Sequence, residues 1–209
     1  MVARFSGGGP LRQVLFLLLA MALVLPGCDR PPRSAPVQPP GKAVSAAPSS
    51  VAPAIALDVK GWDETQTLVA AQRGRVVVLD LWSTWCAPCM REFPNLVRLQ
   101  RMQPQDVVCI SFNMDYSGAA GETPESARVK VQEFLSKHEA TIVNVLSRDA
   151  ADDVFRRLKL ASIPAVQVYD RSGKLAQQFD LDDGRYGTSG FTYADHIVPL
   201  VEQLLAKKS

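Results

Sequence analysis

Residues 75–94 read RVVVLDLWSTWCAPCMREFP, and the fold turns on how this stretch divides. Residues 75–82 form a mostly apolar run rich in β-branched side chains, the composition of a strand covered on both faces. Only Asp80 interrupts its apolar interior. From Ala87 to about Met102 the spacing becomes that of a helix, with Leu96, Val97 and Leu99 toward a core and Pro94 expected to kink it. Cys86 and Cys89 therefore stand where a buried strand hands over to a helix.

The alternation continues outward from there. Residues 106–113 (DVVCISFN) read as a second buried strand, and 125–138 as a helix whose Val129, Val131, Phe134 and Leu135 make an apolar side. A short strand is expected at 141–146 and a helix from 149 or 150 to 158. Two strands, 165–170 and 174–180, flank the turn Arg171-Ser172-Gly173, and a closing helix runs over 193–207. Strand-like and helix-like runs in turn indicate an α/β domain around a central sheet, and no internal repeat is visible. Trp62 reads as a core or edge anchor and Cys109 as a small buried hydrophobe. Residues 114–123 (MDYSGAAGET) and 182–190 read as loops, and Asp182-Asp183-Gly184 lacks the repeated oxygen spacing of a calcium loop.

At 209 residues, 47% hydrophobic and 21% charged, the chain has room for one modest domain plus appendages. Its 23 basic residues exceed 21 acidic ones only through Arg4 and Arg12, which lie in a removable-looking N-terminal segment. A neutral remainder with scattered basic residues has no electrostatic footprint for phosphate backbones, which argues against nucleic-acid binding. Four cysteines are too few for a disulfide-stapled miniprotein, so each is read by its surroundings.

Residues 1–27 carry two arginines, then VLFLLLAMALVL from Val14 to Leu25, then Pro26-Gly27 ahead of Cys28, the layout of a secretory signal. The apolar run is about half the ~20 residues that span a bilayer, although an uncleaved anchor is the alternative. Residues 28–54 are rich in Pro, Ala and Ser and have too few large apolar side chains to bury a core. They read as a tether, reaching about 80 Å extended or about 30 Å as a coil. Residues 55–209 are left as the folded domain.

Two cysteines three apart at a helix start bring their sulfurs together with little strain, so the pair can cycle between dithiol and disulfide. The helix N-terminus favours a thiolate, which makes Cys86 the expected exposed nucleophile and Cys89, one turn in, the buried resolving thiol. Pro88 stiffens the loop and removes one backbone donor. Asp80, desolvated within an apolar strand, should have a raised pKa and serve as a proton acceptor. Glu92, three residues after Cys89 and on the same side of the helix, is the second candidate. Half of a zinc site would require two more ligands, and neither Cys28, Cys109, His138 nor His196 has the spacing to supply them. A plain structural disulfide fits an exported protein but leaves the aromatic and proline flanks without a reason.

Taken with Ile163-Pro164, the stretch DLWSTWCAPC resembles the active site of thioredoxin-fold proteins. CAPCMREFP, residues 86–94, resembles more narrowly the TlpA-like membrane-tethered thiol:disulfide oxidoreductases, the group of the ResA and DsbE types. The likeness covers about residue 55 to the end. It implies a thioredoxin-like α/β fold, a central mixed sheet flanked by helices, and a redox-active Cys86–Cys89 disulfide. It also implies substrate contacts at Trp85, Ala87, Pro88, Ile163 and Pro164, with Pro164 cis and shielding the sulfurs from metal. In thioredoxins the aspartate matching Asp80 serves the buried cysteine, and in ResA-like proteins the glutamate matching Glu92 has a similar part. Ser162 stands where many relatives have glycine. Leu25-Pro26-Gly27-Cys28 resembles a lipobox, from which Pro26 departs, and this implies a lipid on Cys28; Asp29 resembles an inner-membrane retention signal. The resemblance therefore implies a protein at the periplasmic face of the inner membrane, without metal or organic cofactor. Electrons would pass from a membrane thiol:disulfide donor to exported protein disulfides, an apocytochrome c among them. A copper-binding thioredoxin-fold metallochaperone is the alternative, but such modules use a wider cysteine spacing and a histidine. A thiol peroxidase is another, though no second redox site supports it.

Overall fold

The chain runs β1 (Asp58–Lys60), α1 (Trp62–Ala70), β2 (Val76–Trp82), α2 (Ala87–Met102), β3 (Val107–Asn113), α3 (Pro124–Lys137), β4 (Val143–Ser147), α4 (Ala151–Leu158), β5 (Ala165–Tyr169), β6 (Leu175–Asp180) and α5 (Val198–Ala206). A computed structural model describes residues 55–182, 184–187 and 190–207. The expected signal, the tether and Cys28 lie outside the described residues. The strands form one six-stranded sheet in the order β1-β4-β3-β2-β5-β6. The first four strands in that order are parallel, and β5 and β6 join antiparallel, giving the mixed sheet that the resemblance implied.

β2 and β3 are buried at every position, as their continuous apolar runs require of strands covered on both faces. Alternate residues of β2 then serve opposite layers. Leu81 pairs with Phe112, and Phe112 meets Trp62 of α1 edge-on at 5.4 Å; α4 lies beside α1, with Arg157 ion-paired to Asp63. On the other face Trp82 packs against Phe93 of α2 (4.7 Å) and Phe134 of α3 (4.8 Å), and Asp80 faces the segment leading into α5.

α2 begins where the sequence places it because its start is marked in the sequence. Cys86 caps its N-terminus and Pro88 sits in the first turn, where a missing N–H costs no helical bond. Cys89, Phe93, Leu96, Val97 and Leu99 form its buried stripe, and Pro94 lies inside the helix without ending it.

Two expectations change. Val129 was expected on the apolar side of α3, but it is 69% exposed, while Val131 and Leu135 are buried. Residues two apart on a helix point to nearly opposite sides, so Val129 cannot share a face with Val131. The closing helix also does not begin as an α-helix: residues Tyr193–Ile197 make a wider π-helical turn before α5. Pro199 has no N–H to offer the carbonyl one turn back, and Thr192 caps the turn by accepting the Asp195 N–H at 3.1 Å.

Candidate active site

β2 ends at Trp82, and a turn of Ser83, Thr84 and Trp85 carries the chain to Cys86. Ser83 and Thr84 are buried, whereas the Trp85 side chain is 59% exposed. The turn is gripped by Asp115, which accepts from Ser83 Oγ (2.5 Å), the Thr84 N–H (2.8 Å) and Thr84 Oγ1 (2.5 Å). Beyond the turn, Cys86 and Cys89 form a disulfide with sulfurs 2.03 Å and Cα atoms 5.3 Å apart. The Cys89 N–H donates to Cys86 Sγ at 3.3 Å, so once the bond is reduced the first turn of α2 offers a donor and its dipole to a Cys86 thiolate.

Cys86 was expected to be the exposed member of the pair. In the disulfide form both are buried, Cys86 at 5% and Cys89 at 3% accessibility. The cover over Cys86 comes from the loop before β5, whose Ile163 carbonyl oxygen lies 3.6 Å from Cys86 Sγ. With the disulfide closed that sulfur carries no proton, so this is a contact; the dithiol would have a proton to give. The Ile163-Pro164 peptide bond is cis, and β5 begins directly after it, with Ala165 paired to Leu81. Ser162, on the rim of this loop, donates to Asp182 Oδ2 at 2.6 Å. Ala87 is exposed and Pro88 half-buried, whereas Ile163 and Pro164 are buried, so the surface around the disulfide is Trp85, Ala87, Pro88 and the rim of the loop at Ala161 and Ser162.

Asp80 lies two residues before the end of β2, fully enclosed, and accepts the Tyr193 hydroxyl on Oδ2 at 2.5 Å. Burial raises its pKa to about 7; the Tyr193 bond pulls down, and the Glu92 charge pushes up. Tyr193 is itself pushed well above the usual phenol range, by burial first and then by the charge on Asp80. Its backbone N–H donates to Glu92 Oε2 at 3.1 Å, and the Asn95 amide donates to the same oxygen at 3.0 Å. The two candidate acids are thus joined through one residue, Tyr193. Cys109 is wholly buried, and its thiol is pushed up by burial and by Asp80.

Sequence reasoning did not single out Tyr193 or Asp115. Tyr193 reaches Asp80 across 113 residues of chain, and Asp115 fell within a stretch read only as a loop. An acid buried in a strand does need a donor, and that need is the signal that could have prompted a search for Tyr193. Among the described residues no group of three or more His, Cys, Asp or Glu could hold a metal ion, and no helix is long and apolar enough to cross a membrane. His138 packs against Phe134 with the rings tilted by 50° at 4.4 Å, and His196 Nδ1 accepts the Thr192 N–H at 3.0 Å.

Comparison with known proteins places the site in context. The redoxin family model matches residues 46–195. Thiol-disulfide oxidoreductase ResA of Geobacillus kaustophilus is 28% identical over 130 residues, covering 61% of this chain and 66% of its own. Thiol:disulfide interchange protein HelX of Rhodobacter capsulatus is 27% identical over 124 residues, covering 59% of this chain and 62% of its own. The chain thus spans slightly less than two thirds of these curated relatives. Among solved structures, a thioredoxin-like superfamily protein superimposes with a TM-score of 0.51 at 16% identity, over 68% of this chain and 86% of its own. That likeness concerns the thioredoxin-like fold alone.

Proposed function

The chain belongs to the redoxin family, and on that premise we propose that it is a thiol:disulfide oxidoreductase acting on exported protein disulfides through Cys86 and Cys89. One observation carries the reading: the disulfide spans the first turn of α2, with a backbone N–H directed at Cys86 Sγ.

In the reducing direction the Cys86 thiolate attacks one sulfur of the substrate disulfide. That bond breaks, the leaving sulfur takes a proton from solvent, and Cys86 is held in a mixed disulfide. Asp80, as carboxylate, accepts the Cys89 proton; Cys89 attacks Cys86 Sγ, the mixed disulfide breaks, and the second substrate sulfur leaves as a thiolate that takes its proton from solvent. The substrate has gained two electrons and two protons, and the protein has reached its disulfide form. A pKa of about 7 suits Asp80 to this part, since an acceptor works best when its pKa lies near the operating pH. Glu92 is engaged by the Tyr193 N–H and by Asn95, which favours a supporting part. Trp85, Ala87, Pro88 and the Ile163-Pro164 loop form the face a substrate segment meets, with the Ile163 backbone offered to an extended chain.

The dithiol must be restored by another dithiol. The signal-like residues 1–27 and the tether 28–54 support a membrane thiol:disulfide donor at the periplasmic face of the inner membrane, with Cys28 carrying the lipid. Mass analysis of the mature N-terminus, with Cys28→Ser as control, tests the anchor. The narrower reading, an apocytochrome c as substrate, is abandoned if loss of the gene leaves c-type cytochromes at normal levels. For the activity itself, the full chain should accelerate reduction of insulin by dithiothreitol. Cys86→Ser should abolish that acceleration and Cys89→Ser should accumulate a mixed disulfide. Undiminished turnover in Cys86→Ser would overturn the proposal.

A further inference from the structure

The turn that presents Cys86 is held by a residue from another part of the sheet. Asp115 lies two residues beyond β3, and its carboxylate accepts four hydrogen bonds. Oδ1 takes Ser83 Oγ (2.5 Å), the Thr84 N–H (2.8 Å) and Asn113 Nδ2 (3.2 Å), and Oδ2 takes Thr84 Oγ1 (2.5 Å). Asn113 also accepts the Asp115 N–H at 3.0 Å, so the clamp is anchored to the end of β3. From Ser83 the grip passes on: Ser83 Oγ accepts the Trp85 N–H at 3.2 Å, and the Ser83 carbonyl accepts the Cys86 N–H at 3.2 Å. One carboxylate therefore fixes every residue from Ser83 to Cys86, directly or at one remove. Ser83 and Thr84 are buried, so water is poorly placed to replace it. Asp115 and Trp85 also share the wall of a cavity of about 230 Å³ with Ala127 and Lys130 of α3.

Resting on the oxidoreductase reading above, we propose that Asp115 is a positioning residue for disulfide exchange. It locks the Ser83–Cys86 turn so that a docked protein disulfide meets Cys86 in register with Trp85 and the cavity beside it. Buried donors left without an acceptor are costly, and a turn free to shift by about 1 Å loses the oriented encounter. A small disulfide, which needs no docking face, should be much less sensitive.

The test compares rate constants of the reduced full-length protein with insulin and with a small aromatic disulfide, for the parent, Asp115→Ala and Asp115→Asn. In Asp115→Ala the insulin-to-small-disulfide ratio should fall about tenfold or more. Asp115→Asn keeps an acceptor for Ser83 and Thr84 N–H, and its amide can donate to Thr84 Oγ1, so its ratio should stay within about threefold of the parent's. An unchanged ratio in Asp115→Ala overturns the proposal, as does an Asn variant that falls as far as Ala. If Asp115→Ala does not fold, Thr84→Val removes one limb of the clamp and should lower the ratio about threefold; no change there overturns it equally. A parent that reduces neither disulfide would instead remove the oxidoreductase reading.

Discussion

Deleting the hydroxyl of Tyr193 isolates what that residue does to Asp80. Burial is the main reason the Asp80 pKa stands at about 7, and the Tyr193 bond is the one influence pulling it down. Tyr193→Phe keeps the ring in its buried site and removes a single 2.5 Å hydrogen bond to the carboxylate. Such a bond to a charged group contributes about 1.5–3 kcal/mol, and 1.36 kcal/mol corresponds to one pKa unit, so the Asp80 pKa should rise by about 1 to 2. The sign follows because the lost bond favours the ionised form. At pH 7 about half of Asp80 is ionised in the parent, against about a tenth to a hundredth in the variant, so resolution of the mixed disulfide by Cys89 should slow roughly 5- to 50-fold. Above about pH 9.5 most of the gap should close. Single-turnover release of the second thiol, followed from pH 5 to 10, reads the midpoint directly. A midpoint that stays with the parent's, or moves toward acid, would refute Asp80 as the acceptor tuned by Tyr193.

Other expectations follow from the same structure. Because folding raises the Asp80 pKa from 3.8 to about 7, the protonated acid is favoured in the fold. Stability should therefore be lost as pH rises between those values, levelling at a cost of about 4 kcal/mol. Asp80→Asn should then gain about 4 kcal/mol over the parent at pH 8 but only about 1 kcal/mol at pH 4.5, as read by denaturant midpoints; an equal gap at both would contradict the assignment. Trp62→Ala removes the edge-on partner of Phe112 and should lower stability by about 3–5 kcal/mol, measured by urea unfolding. Cys109, wholly buried with its thiol pushed up, should resist iodoacetamide in the native dithiol protein and react only in denaturant.

The parts of the fold that were legible in the sequence are those set by local pattern. β2 and β3 are continuous apolar runs, and α2 begins at the cysteine pair and follows a 3.6-residue stripe, so its start could be placed to the residue and its end approximately. β1 was not legible because three residues at a sheet edge are too short for any period. The site divides the same way. The cysteines, Asp80 and Glu92 lie within one short stretch whose spacing is informative, whereas Tyr193 and Asp115 act through contacts between distant segments. Helix-dipole reasoning made Cys86 the nucleophile, but it could not show the 161–164 loop closing over its sulfur. That cover depends on the pairing of β5 with β2, a property of the assembled sheet.

The reduction potential of the Cys86–Cys89 pair bears most directly on the account of this protein as a reductant. The full chain would be equilibrated in thiol/disulfide buffers and the reduced fraction counted by alkylation and mass. A value near or below about −270 mV, the thioredoxin end of the scale, is the expected result and fits a pair recharged by a membrane dithiol donor. A value near about −120 mV would make the protein a disulfide-forming oxidant and would contradict the direction of electron flow proposed here.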